Sequence, residues 1–194
     1  MKETEKVFEE FIEKYLISDD GGWSKSSDDG YCSDDSRGMA LDIITLTNFV
    51  QSTQPMAWKR FERMCTISPI RQFYKAFENA IVQDGLISVL RHGFKHRGIS
   101  FRVCYFKPES ELNEQAIENY KKNVCQCIRQ WHYSEQNKNS VDMMLSINGI
   151  PVVAVELKNQ LTGQSVDDAM RQWQYNRNPK EPAFGFNKRV LAYF

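Results

Sequence analysis

Along the first half of the 194-residue chain, apolar positions recur every three or four residues, the period of helices with one buried face. Lys2 to Leu16 place Phe8, Phe11, Ile12, Tyr15 and Leu16 on one stripe among charges, which predicts an amphipathic helix. Further helices are expected over Met39 to Gln51, Trp58 to Met64 and Ile70 to Asp84. Between the first two lies Asp19 to Asp35, with six aspartates, four serines and three glycines, a composition that reads as a mobile surface loop turned away from any polyanion. From Leu86 the texture changes. Ile99 to Phe106 alternates and is rich in β-branched and aromatic residues, a strand stopped by Lys107-Pro108. Glu111 to Trp131 reads as helix again, with Ile117, Tyr120, Val124, Cys127 and Trp131 three or four apart. Val141 to Ile147 and Val152 to Leu157 are apolar runs joined through Asn148-Gly149, a hairpin signal. A helix capped by Ser165, with Asp168 three residues on and Val166, Ala169 and Trp173 as its buried stripe, runs to about Asn178. Lys188 to Phe194 reads as a last strand. These elements predict an α/β domain over residues 1–194, with a central mixed sheet flanked by helices.

Composition narrows the classes of function. The 25 Lys and Arg cancel the 25 Asp and Glu, so contact with a polyanion must come from a local patch. No run approaches the roughly 18 apolar residues of a membrane span, and the charged N-terminus has no signal-peptide core, so a cytoplasmic protein with no membrane partner is expected. The five cysteines are irregularly spaced and read as free thiols, and no phosphate loop ends in Gly-Lys-Ser/Thr, so this chain is not expected to bind ATP. The chain stops inside an apolar element, which suggests a fragment of a longer protein.

The informative stretch is Ser140 to Gln160. Asp142 opens one strand, while Glu156 and Lys158 close the next and project from the same face, two residues apart. Paired carboxylates make a hard-oxygen site suited to Mg²⁺, and a neighbouring ammonium can orient attacking water, a kit for metal-assisted phosphodiester hydrolysis. A solvated strand end with a surface ion pair is the plainer alternative. For the carboxylates to share a face, the hairpin needs an odd register. A three-residue loop Ile147-Asn148-Gly149 with a left-handed glycine would set Asp142 opposite Ala154 and diagonal to Glu156. Elsewhere, Cys125, Cys127 and His132 make a poor zinc set if they lie on a helix, and Arg91, His92, Lys95, His96 and Arg97 form a basic turn.

The run N-x-x-D…N-G-I-P-V-V-x-x-E-L-K-N over Asn139 to Asn159 resembles the N-terminal nuclease domain of the type I restriction enzyme R subunit, a PD-(D/E)XK nuclease. Thr4-Glu5, Phe8-Glu9, Thr53-Gln54-Pro55 with Trp58, Phe106-Lys107-Pro108, Gln172-Trp173 and Arg177-Asn178-Pro179 extend the likeness over most of the chain. The resemblance implies a restriction-endonuclease-like fold and Mg²⁺-dependent cleavage of double-stranded DNA. It further implies modification and specificity subunits as partners, and C-terminal translocase domains of the same subunit that use ATP and lie outside this chain. It makes Asp142, Glu156 and the Leu157 carbonyl metal ligands, with Glu9 as a fourth and Glu5 one turn earlier as its rival. Lys158 becomes the catalytic lysine, and Gln172 and Arg177 DNA contacts. The family's Gln-x-x-x-Tyr helix is only half present, because position 176 is Asn176 and the tyrosine is displaced to Tyr175. A non-catalytic docking domain of the same fold, or another PD-(D/E)XK DNA-processing nuclease, are the alternatives.

Overall fold

A computed structural model describes residues 2–36, 38–110, 112–158 and 165–194, with backbone alone for residues 2–5. In chain order the elements begin with α1 (Lys2–Leu16), β1 (Ser24–Ser26), α2 (Asp29–Cys32), α3 (Ile43–Thr53), α4 (Pro55–Met64), α5 (Pro69–Asp84) and α6 (Leu86–His92). They continue with β2 (Phe94–His96), β3 (Ile99–Phe101), α7 (Glu114–Lys121), β4 (Cys125–His132), β5 (Ser140–Ile147), β6 (Ile150–Val155), α8 (Val166–Arg171) and β7 (Ala192–Tyr193). The caps explain the helix limits. The Asp42 carboxylate accepts from the Thr45 amide at 3.0 Å, prolines open α4 and α5, and Gly85 and Gly93, at φ of +78° and +71°, close α5 and α6.

Five strands form a mixed sheet in the order β1-β4-β5-β6-β7, antiparallel through β4, β5 and β6 and parallel at both edges. Helices flank it, which is the restriction-endonuclease-like α/β architecture expected. Phe61, Phe73, Phe77, Phe94 and Phe101 pack with Trp58 between α4, α5 and the small β2–β3 hairpin, and this core reaches Ile150 and Val152 of β6. Ile128, Trp131, Val141, Met144 and Ala154 form a second core with Tyr31 and Phe184, and Cys127, Met143 and Leu157 form a third beneath Ile12 and Leu16 of α1.

Five expectations are corrected. Cys125 to His132, read as the end of a helix, is the central strand β4. Its alternation breaks at Gln130, whose φ is +51°, so Ile128 and Trp131 share one core although three residues apart. Cys127 and Trp131, read as one helix stripe, lie in the third and second cores on either side of that break. Residues 24–26 of the aspartate-rich segment pair with β4 as an edge strand, and Tyr31 is buried in the second core, so the segment is not a loop throughout. The strand over Ile99 to Phe106 shrinks to β3 in the satellite hairpin, and only Ala192 and Tyr193 of the last run join the sheet. The stripe on α1 is also turned. Ile12 and Leu16 face the sheet beside buried Glu9 and Glu13, whereas Phe8, Phe11 and Tyr15 are exposed. Pairing of the two glutamates with Arg129 sets this orientation.

The β5–β6 hairpin differs from the expected one in detail. Ile147 pairs with Ile150, leaving a two-residue turn in which Asn148 and Gly149 have φ of +53° and +78°, the type I′ geometry that Asn-Gly favours. The parity correction comes later. The register shifts between Leu145 and Ser146, which pair with Val153 and Pro151, so Val152 is the extra residue of a bulge. Beyond Met143 opposite Val155, Asp142 therefore comes level with Glu156, not Ala154.

Candidate active site

The bulge brings Asp142 and Glu156 to the open end of the hairpin on neighbouring strands. Asp142 Oδ2 accepts from the Leu157 amide at 2.6 Å, which ties the two strands together where their ladder ends. The Glu156 side chain is 2% exposed and receives three donors or charges. Arg177 donates to Oε1, Gln172 Nε2 donates to Oε2 at 2.8 Å, and Lys158 Nζ stands 3.9 Å from Oε2. Lys158 in turn donates to Gln172 Oε1 at 2.6 Å. The Gln172 amide thus bridges the acid and the base.

Glu9 enters from α1. Its Oε2 accepts from Arg129 Nε at 3.0 Å and its Oε1 from Gln130 Nε2 at 2.9 Å. The same Gln130 nitrogen lies 3.4 Å from Asp142 Oδ1, so one amide links Glu9 to Asp142. Burial opposes the Arg129 charge, but hydrogen bonding to Glu9 and the charges of Glu9, Glu13 and Glu10 outweigh it and hold the guanidinium above its ordinary value. Sequence reasoning missed Gln130, because its left-handed backbone inside a strand leaves no mark in the apolar pattern. The side chain of Glu5, and Asn159 at the end of the motif, lie outside the described residues.

Past β6, Ser165 donates through its amide at 2.7 Å and its hydroxyl at 3.2 Å to Asp168, holding that carboxyl below the usual range. Ala169 is buried, but Val166 is exposed, so the predicted stripe holds only in part. After Arg171 the helix widens into a π-helical turn, Gln172–Asn176. Gln172 faces the site while Tyr175 is 79% exposed. Arg177, expected at the DNA, points inward instead. Its side chain is 8% exposed and donates to Tyr133 Oη at 2.7 Å, to the Ser140 carbonyl at 2.9 Å and to Glu156. The basic residues Arg91 to Arg97 sit on α6 and the satellite hairpin, outside the main sheet.

The groups at the open end that could hold a metal offer oxygen alone: the carboxylates of Asp142 and Glu156 and the backbone carbonyl of Leu157, which follows Glu156 in sequence. This set fits Mg²⁺, which takes one or two carboxylates and keeps several waters. Among the described residues, no three His, Cys, Asp or Glu side chains come together as a metal-holding group, so Glu9 does not complete a carboxylate triad with Asp142 and Glu156. Cys125 and Cys127 lie on a strand, where the helical argument against a shared zinc does not apply. Cys127 is nevertheless buried in the third core.

Searches of the curated proteins and of the solved structures returned no match. The family described as "Type I restriction enzyme R protein N terminus" matches residues 2–194. A match of that extent, on a chain whose sheet carries Asp142, Glu156 and Lys158 at one hairpin end, leaves one conclusion: the chain belongs to the family of type I restriction enzyme R protein N termini.

Proposed function

We propose that this chain is the DNA-cleaving module of a type I restriction R subunit, hydrolysing phosphodiester bonds of double-stranded DNA with Mg²⁺. The observation that supports it is the linked set Asp142, Glu156 and Lys158, with Gln172 hydrogen-bonded to both the glutamate and the lysine. Asp142, Glu156 and the Leu157 carbonyl would hold the metal. Mg²⁺ there would polarise a phosphoryl oxygen and lower the pKa of a bound water. Lys158, steadied by Gln172, is in place to hold the attacking water or a phosphate oxygen by a charge-assisted hydrogen bond. Gln172 is the candidate for contact with DNA at the cut. Its partners in this reading are DNA, the modification and specificity subunits and an ATP-driven translocase of the same subunit, all in the cytoplasm.

A non-catalytic docking domain is the second reading. The absence of a three-membered metal-holding group among the described residues favours it. Plasmid cleavage with Mg²⁺ by the assembled restriction complex separates the two. Asp142→Ala, Glu156→Ala and Lys158→Ala should each abolish cutting while ATP hydrolysis persists. Undiminished cutting by all three would leave the docking role.

A further inference from the structure

The charged group that the mechanism above leaves without a task is Arg177. Its guanidinium is held by three residues other than Glu156. Tyr133 Oη takes one terminal nitrogen at 2.7 Å and the Ser140 carbonyl takes the other at 2.9 Å, while the rings of Tyr133 and Trp173 lie 5.2 and 5.7 Å from its central carbon. These anchors come from the end of β4, the start of β5 and the π-helical turn. An arginine paired with Glu156 alone would follow the carboxylate; one fixed by the scaffold dictates where the carboxylate sits. The nitrogen that bonds Ser140 also bonds Glu156 Oε1, and Gln172 holds Oε2, so the plane of the carboxylate is set from both oxygens. With its side chain 8% exposed, Arg177 has little surface to offer a phosphate.

We propose that Arg177 is a positioning residue: it fixes the orientation of the Glu156 carboxylate and thereby sets how tightly the Asp142–Glu156 site holds a divalent cation. This rests on the nuclease reading above. Lysine carries the charge but not the planar fork that joins Ser140, Tyr133 and Glu156, so Arg177→Lys separates geometry from charge. The test is binding of Mn²⁺ alone, followed by the paramagnetic resonance of free Mn²⁺, to the 194-residue chain without DNA. Wild type is compared with Glu156→Gln, Arg177→Lys, Arg177→Met and Tyr133→Phe, and circular dichroism reports the folded fraction. Per folded molecule, Arg177→Lys should weaken binding at least about fivefold, Arg177→Met more, and Tyr133→Phe, which keeps the ring and removes one anchor, about twofold. If Arg177→Met does not fold, Arg177→Lys and Tyr133→Phe decide. Binding to Arg177→Lys within twofold of wild type, or tighter binding to Arg177→Met, overturns the assignment even where Glu156→Gln has lost the ion. No binding by wild type overturns the nuclease reading and this role with it.

Discussion

The two ends of the β5–β6 hairpin are built on opposite terms. At the turn end the partners of Asn148 and Gly149 are mostly backbone, with the Asn123 side chain beside them. Asn148, fully buried, accepts from the Val124 amide at 2.7 Å and donates to the Val103 carbonyl at 2.8 Å, and the Gly149 carbonyl accepts from the Asp42 amide at 3.0 Å. A Cβ on Gly149 would lie 2.3 Å from the Asp42 carbonyl. At the open end the groups are charged, and apart from the Leu157 amide their partners are the side chains of Gln130, Lys158, Gln172 and Arg177. One end fixes the register by shape; the other holds charges that only the register brings level. The comparison teaches that this protein keeps its shape-fixing contacts and its cluster of charged groups at opposite ends of one short pair of strands.

Lys158→Ala should break the comparison most sharply, lowering cleavage by at least about 10³-fold, equivalent to about 4 kcal/mol, while shifting stability by under about 1 kcal/mol. Cleavage rates beside urea unfolding midpoints check both halves. The reverse profile is expected of Gly149→Val, where a β-branched residue at φ +78° meets the Asp42 backbone. Destabilisation of about 3 kcal/mol or more is expected, a fall of roughly 6 to 12 °C in melting temperature for a chain of this size. Asn148→Ala leaves the Val124 amide and Val103 carbonyl unpaired, at about 2 kcal/mol. Burial pushes the neighbouring Cys104 thiol up to about 11, so alkylation at pH 8 should be slow in wild type and faster in Asn148→Ala; equal rates would show that the turn end stays closed without Asn148. Smallest of all, Phe11→Ser on the outer face of α1 should change stability by less than about 0.5 kcal/mol, measured by thermal melting, because that ring is 68% exposed.

Much of this was legible in the sequence where one interaction dominates. The limits of α4 and α5 follow from Pro55, Pro69 and Gly85, which act locally on the backbone, whereas the helix at Leu86–His92 was not expected. Asn148-Gly149 announced the hairpin, and the chemical need for Asp142 and Glu156 to share a face announced an odd register, though not that the bulge sits at Val152. A strand bulge depends on what packs across it, and Val152 packs into the helical core. The sequence failed where tertiary partners override local pattern. Cys127 and Trp131, four apart and both buried, imitate a helix stripe although they lie in different cores on either side of Gln130, where the strand turns over. The aromatic stripe of α1 lost the sheet to Glu9 and Glu13 because Arg129 waits there. Arg177 read as a phosphate contact because nothing in a chain of letters says which way an arginine points.

The π-helical turn sets the phase of all that follows it. Five residues from Gln172 to Asn176 occupy a loop wider than an α-turn, so the chain leaves it rotated relative to an α-helix continued from Arg171. Were the same five residues wound as α-turns with none removed, the residue that the wide turn absorbs would be pushed on down the chain. Every later side chain would then swing by about 100° about the axis, carrying Arg177 off Glu156 without changing either residue. The spelling of the site would be intact and its reading frame in space lost.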